Sequence, residues 1–268
     1  MGRTASKVIG GRVKSGGIYR YKRILDQFTE QTSVWTVAAL ASELGVASST
    51  LYRQVRELVA VGFLEATVDS RYRLGPAFVD MERRARQTDP LILAGNAFLD
   101  PLIRRMGFKC SALLARLYGN TVMCVADAHS RHMPLRTSFE RGLPMPLVRT
   151  ATARAVLSVM ESRRLKRLLA RETELEGEPL NKFLSELFQI RKQGFWIAEG
   201  ELDPGAVAIA VPIAGRKLGF EASLSIFARK EDLPVAQRAR AIRLLSATAS
   251  EIEGFLAERV ALANTAGT

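Results

Sequence analysis

The sequence predicts an α+β protein built from two parts, a small helical unit with a β-hairpin and a larger unit with an antiparallel sheet flanked by helices. Three observations lead there. Residues 36–58 read as two short helices around a glycine turn, followed by alternating segments at 63–67 and 72–74. From Lys109 onward the apolar period shifts from helical to extended, then alternates between the two up to a long final helix. The 268-residue length is enough for two domains.

In the first part, Tyr21, Ile24, Leu25 and Phe28 fall at i, i+3, i+4 and i+7, predicting a helix over 18–29. Trp35 stands just ahead of the next helix, placed to staple it to the core, or else to meet a partner. That helix carries Val37, Leu40, Ala41 and Leu44 on one face, and Gly45 supplies a left-handed residue to end it. Ser48 or Ser49 is expected to cap the following helix, which turns Leu51, Val55 and Leu58 inward. Its remaining surface presents Ser49, Thr50, Tyr52, Arg53 and Arg56. The hairpin after it ends at Leu74-Gly75-Pro76, a change of chain direction.

Residues 77–88 are helical in pattern and basic at Arg83, Arg84 and Arg86, and Pro90 breaks them. A second helix is expected over 91–106, with a kink at Pro101. Strands follow at 111–117 and 121–126 around Tyr118-Gly119-Asn120, then a loop over 127–147 and helices at 150–161, 162–172 and 180–193. Further strands are predicted at 195–198, 206–213 and 221–228. In the last of these, Ser223 and Ser225 face one way and Leu224 and Ile226 the other. Pro234 opens the final helix, whose apolar stripe contains Ala241, Leu244, Leu245, Thr248, Ile252, Phe255 and Leu256. The expected domains are therefore a basic, disordered arm at 1–17, a winged helix-turn-helix at 18–76, a linker helix at 77–90 and a sheet-containing domain at 91–268.

Charge narrows the partner. Thirty-nine Lys and Arg against 27 Asp and Glu give +12 and a pI near 10.2, and seven basic residues from Arg3 to Arg23 precede Asp26, the first acidic one. Such an excess attracts polyanions, nucleic acid or an anionic membrane. Two cysteines, Cys110 and Cys124, support neither a disulfide framework nor a four-thiolate zinc site and read as core thiols. Without a signal-peptide run or an 18-residue apolar stretch, a cytoplasmic protein is expected.

The Ser/Thr/Tyr/Arg surface of the second helix has the chemistry of major-groove reading. Arginine pairs bidentately with guanine, hydroxyls reach bases or phosphates, and a helix N-terminus holds phosphate. Arg71 and Arg73 on the hairpin suit backbone or minor-groove contact. The plain alternative is a solvated face. Cys124, Asp127, His129 and His132 are metal-ligand types within nine positions, but a Pro/Arg-rich loop gives no geometry to converge them, so no metal is expected. Glu199, Glu201 and Asp203 cluster in an acidic turn. No nucleophile, zinc or phosphate-loop motif accompanies them, so neither enzyme activity nor a cofactor is expected.

Several strings then resemble the IclR family of bacterial transcriptional regulators. In the first part these are Ser48-Ser-Thr-Leu-Tyr-Arg-Gln-Val-Arg-Glu-Leu-Val-Ala-Val-Gly-Phe-Leu64 and Tyr72-Arg-Leu-Gly75. In the second they are Gly142-Leu-Pro-Met-Pro-Leu147, Ala151-Thr-Ala-Arg-Ala155, Ile190-Arg-Lys-Gln-Gly194, Glu199-Gly-Glu-Leu-Asp-Pro-Gly-Ala-Val-Ala-Ile-Ala-Val-Pro212 and Ser223-Leu-Ser225. The resemblance implies a winged helix-turn-helix, a GAF-like effector domain, and homodimers or homotetramers on operator DNA. DNA contact then falls to Ser48, Ser49, Thr50, Tyr52, Arg53, Arg56, Arg71 and Arg73. Effector contact falls to Ala151 and Thr152 through backbone N–H groups, to Ala208, and to the hydroxyls of Ser223 and Ser225. Some members carry Gly near Ala151 and a polar or thiol side chain near Ala208. Alanine at both implies a more apolar pocket, suited to an aromatic or larger acid. The implied function is a ligand-responsive regulator. The alternatives are an effector-independent architectural DNA binder and an enzyme with a fused DNA-binding domain.

Overall fold

The structure is a computed structural model and describes residues 16–131, 140–170, 172, 175, 177–201, 204–214 and 219–266. The chain divides into two compact units between Gln87 and Thr88. The predicted arm lies almost wholly outside the described residues.

The first unit contains α1 (Gly17–Leu25), β1 (Trp35–Thr36), α2 (Val37–Leu44), α3 (Ser48–Ala60), β2 (Leu64–Ala66), β3 (Arg71–Leu74) and α4 (Ala77–Thr88). Of the predicted faces, Ile24, Phe28, Leu40, Ala41, Leu51, Val55 and Leu58 are buried, joined by Leu64, while Tyr21, Leu25, Val37 and Leu44 pack at the edge. The first helix is shorter than its pattern suggested. It ends at Leu25, and Phe28 reaches the core from the turn beyond. Thr36 caps α2 by accepting from the Ala39 N–H at 3.2 Å, and Gly45 ends it at φ +66°. The expected serine cap of α3 is absent: Ala47 is the N-cap, so Ser48 and Ser49 stand inside the first turn. Val46 N–H bonds back to Ala41 O and the extended Ala47 simply leads the chain into α3, so the α2–α3 turn is closed by backbone alone.

The predicted hairpin gains a third strand. The sheet order is β1-β3-β2, with Trp35 opposite Tyr72 and Leu64 opposite Leu74. Trp35 is the staple: its ring packs on the core and its Nε1–H donates to Gln27 O at 2.9 Å. At Gly75 a Cβ would sit 2.3 Å from Gly62 O, so only glycine lets the hairpin pass the end of α3 this closely. Stacking of Phe63 on Phe78, ring centroids 5.2 Å apart, holds the start of α4. The rest of α4 buries nothing and is laced by Arg84–Asp80 and Arg86–Glu82 pairs one turn apart.

The second unit contains α5 (Pro90–Met106), β4 (Ser111–Tyr118), β5 (Thr121–His129), β6 (Pro144–Met145), α6 (Ala151–Ser158), α7 (Ser162–Leu169), α8 (Glu178–Gln193), β7 (Trp196–Glu199), β8 (Ala206–Ile213), β9 (Ala222–Arg229) and α9 (Val235–Ala266). Pro90 does more than break the preceding helix. It is the first residue of α5, capped by Asp89, whose carboxylate accepts from Leu91 N–H at 2.9 Å. The helix runs through Pro101. The sheet is antiparallel, in the order β6-β5-β4-β9-β8-β7. One face packs α5 and α9 through Leu99, Leu102, Leu114, Ile209, Leu224, Ile226, Leu245 and Ile252. The other packs α6, α7 and α8 through Leu113, Val156, Leu165, Phe183, Leu187 and Phe227. The alternation read from β9 holds: Leu224 and Ile226 face α5 and α9, while Ser223 and Ser225 meet α6.

Several expectations shift in this unit: the stretch read as loop over 127–147 also holds β6, paired with β5, and the helix read over 162–172 ends at Leu169. The loop predicted from Asp127 begins later, because β5 continues through His129 opposite Ser111. A β-bulge skips Val125, and this shift of register hides the strand's alternation from a simple period-two reading. Among the described residues no helix is long and apolar enough to cross a membrane.

Candidate functional site

On α3, burial separates two kinds of residue by spacing alone. Leu51, Val55 and Leu58 are under 4% exposed, while Ser48, Ser49, Thr50, Tyr52, Arg53 and Arg56 are all exposed. Because Ala47 is the cap, the three hydroxyls crowd the first turn, beside the unpaired N–H groups of the helix N-terminus. Among the described residues the side chains of Arg53 and Arg56 form no ion pair. The wing closes through Asp69 and Ser70 at φ +57° and +54°. Arg71 is exposed next to that tip, and Arg73 pairs with Glu65 at 2.5 Å. All eight residues expected to touch DNA therefore lie exposed on α3 or the hairpin of one unit.

The five residues expected at the effector site also come together. Thr150 caps α6 through the Ala153 N–H, and the next two residues, Ala151 and Thr152, lie against the sheet. Thr152 Oγ1 donates to Ser225 Oγ at 3.0 Å, and Ser223 Oγ donates to Thr152 O at 3.1 Å. All three side chains are essentially inaccessible, so these hydroxyls fasten α6 to β9. Ala208 lies on β8 at the edge of a small cluster formed by Ala151, Ala155, Ala198 and Ala210, with Trp196 alongside. Small side chains let α6 approach the sheet closely here.

Sequence reading missed the charged rim of this site. Arg154, on the first turn of α6, bonds Glu186 of α8 at 2.9 Å and Glu201 of the acidic turn at 2.8 Å. Its guanidinium also lies 5.5 Å and 5.9 Å from the ring centres of Phe183 and Trp196. The Glu201 carboxylate accepts the Ala151 N–H as well. Burial raises its pKa above the usual carboxylate range, against the opposing pull of Arg154 and the Ala151 N–H. Glu199, in contrast, is pulled below that range by Lys230 and Arg238, at 2.8 Å and 2.6 Å. Asp203 lies outside the described residues. The acidic turn was readable as a cluster, but nothing in the sequence paired its members with cations on α6 and α9.

Of the metal-ligand types, Asp127 and His129 meet in the fold and Cys124 turns elsewhere. Cys124 is buried with its thiol directed at Ala126 O, 3.5 Å away. Burial pushes its pKa to about 12 and that of Cys110 to about 11. His129 lies between Ser111 Oγ at 2.9 Å and Asp127 at 2.7 Å. His132 lies outside the described residues. Among the described residues no three His, Cys, Asp or Glu side chains converge as a metal set. An open cleft of about 500 Å³ beyond the other end of α6 involves none of the predicted effector residues. Its two arginines are engaged, Arg164 with Glu221 at 2.6 Å and Arg191 with Met160 O at 3.1 Å.

Comparison with known proteins places both units. Residues 86–254 match the bacterial transcriptional regulator IclR C-terminal domain, and residues 20–67 match the IclR helix-turn-helix domain. The chain belongs to the IclR family. It is a transcriptional regulator with a helix-turn-helix DNA-binding domain, as the family resemblance implied. The Pca regulon regulatory protein of Pseudomonas putida is 24% identical over 71% of this chain and 66% of its own length. The HTH-type transcriptional regulator BhcR of Paracoccus denitrificans is 28% identical over 76% and 75%. In fold, the chain is similar to an IclR homologue from Microbacterium hydrocarbonoxydans complexed with 4-hydroxybenzoate. That match has a TM-score of 0.71 at 21% identity, covering 90% of this chain and 99% of the other.

Proposed function

We propose that this IclR-family protein binds a specific operator through α3 and the wing, and that a small organic or aromatic acid in the C-terminal unit modulates the binding. The observation that carries the DNA half is the exposed Arg53 and Arg56, without an ion pair among the described residues, beside three hydroxyls on the first turn of α3. Arg53 and Arg56 read base edges, Tyr52 supports them, Ser48, Ser49 and Thr50 meet phosphate, and Arg71 and Arg73 steady the wing on the backbone. The effector half rests on the clustering of Ala151, Thr152, Ala208, Ser223 and Ser225 beside Arg154. The homologue complexed with 4-hydroxybenzoate supports an aromatic acid.

A homodimer or homotetramer accompanies this reading, because a two-fold partner places two α3 helices on successive turns of a pseudo-palindromic operator. The bare α4, with Val79 and Met81 exposed, supports a partner copy. The protein works in the cytoplasm and catalyses nothing. An effector shifts operator affinity only by binding two states of the protein unequally. The test is selection of bound duplexes from a random pool, followed by anisotropy titrations with and without carboxylic acids. One enriched motif, with affinity that changes when an acid is added, is the expected result. A steep salt dependence with no enriched motif would favour the architectural binder instead.

A further inference from the structure

We propose that Glu201 is an internal occupant of the acid-binding seat at the start of α6, and that an effector carboxylate must displace it to reach Arg154 and the Ala151 N–H. This rests on the reading of that cluster as the effector site and adds how the site is kept closed. Glu201 Oε1 lies 2.8 Å from Arg154 Nη1, and its carboxylate takes the Ala151 N–H. A carboxylate thus already sits where a ligand carboxylate would be held, and it is supplied by the turn between β7 and β8.

Charge makes the two occupants exclusive. Arg154 already carries Glu186 at 2.9 Å, so with Glu201 present one half-buried cation serves two anions. A third carboxylate at the same guanidinium would add repulsion without a new partner. Exchange of Glu201 for a ligand carboxylate leaves the local charge unchanged. Glu201 also sits at the solvent edge of the seat, its side chain 26% exposed, so it can leave into water. Glu201 can leave while the strand end before it stays anchored. Glu199 stays tied to Lys230 and Arg238, and Gly200, at φ +67°, separates the two tethers as a pivot. The chemistry selects anions, because a neutral ligand that evicts Glu201 leaves Arg154 with one carboxylate fewer.

The experiment titrates the full chain with acetate, succinate and benzoate, and with benzamide as the neutral control. The readouts are calorimetry and the fluorescence of Trp196, which lies against the Arg154 guanidinium. It is repeated on Glu201→Gln, which keeps the side-chain volume, and on Arg154→Lys. At least one acid should bind Glu201→Gln ten-fold or more tighter than wild type and Arg154→Lys at least ten-fold weaker, with benzamide indifferent to Glu201. Unchanged melting of each variant shows that the fold is kept. Should Glu201→Gln misfold, Glu201→Asp, which withdraws the carboxylate by one methylene, carries the same expectation. Equal acid affinity in wild type and Glu201→Gln overturns the proposal while leaving the effector reading in place. Tighter acid binding without any change in operator affinity sustains the internal occupant and removes the effector reading. Absence of acid binding to every form overturns both.

Discussion

The polar side chains of α3 and those of α6 have opposite fates. On α3 the hydroxyls and arginines are exposed and, among the described residues, Arg53 and Arg56 pair with no acid. On α6 every polar group described above is spent within the protein: the Thr152 hydroxyl on Ser225, the Thr152 carbonyl on Ser223 of β9, and Arg154 on two carboxylates. A surface left unpaired is prepared for a large polyanion that brings its own acceptors. A site already paired can only exchange partners, so its ligand must repay what it displaces. The contrast is between a face that waits and a seat that is filled.

The comparison can be broken at several points. The largest effect should come from Leu51→Ala, which removes a fully buried side chain beneath the α3 face. A loss of about 2–5 kcal/mol is expected. Hydrogen exchange should show it confined to the unit ending at Gln87. Alkaline pH should strike the other unit, because it holds both cysteines. Below pH 9 both thiols are neutral, folded or unfolded. Above it the unfolded thiols ionise while the folded ones resist until about 11 and 12. Stability therefore falls as pH rises past 9, by about 1.4 kcal/mol per thiol per pH unit at most. A Cys110→Ala/Cys124→Ala variant should flatten that part of the pH–stability curve.

Arg53→Ala should cost about 1–3 kcal/mol of operator discrimination while melting stays put. Unchanged operator affinity would remove Arg53 from the reading face. Thr152→Val should do the reverse. It strands Ser225 Oγ and costs about 1–3 kcal/mol of stability, read by denaturant unfolding. Operator affinity under folded conditions should not move. The smallest effect belongs to the wing. Glu65→Ala removes an exposed ion pair worth no more than about 1 kcal/mol, and frees Arg73 for phosphate, steepening the salt dependence of DNA binding.

Periodicity carried much of this protein. The spacing of Leu40 and Ala41 and of Leu51, Val55 and Leu58 determined which face of each short helix is core, and hence which residues of α3 stay outside. Alternation along Ser223-Leu-Ser-Ile226 settled which side of β9 meets α6. These are local patterns, and burial follows them because helix and strand geometry fix where successive side chains point. What escaped the sequence was decided by partners distant along the chain. The third wing strand exists because Trp35 meets Tyr72, and β5 hides its last turns of alternation behind a bulge. Ala47 stands in the cap position where the serines were expected, in a turn held by the Val46 N–H bond to Ala41 O. Above all, the sequence set out an acidic turn and an arginine 47 positions apart, and only the folded sheet brings Glu201 to Arg154. Long-range ion pairs leave no period and no motif, since their geometry belongs to the packing of elements and not to any one of them.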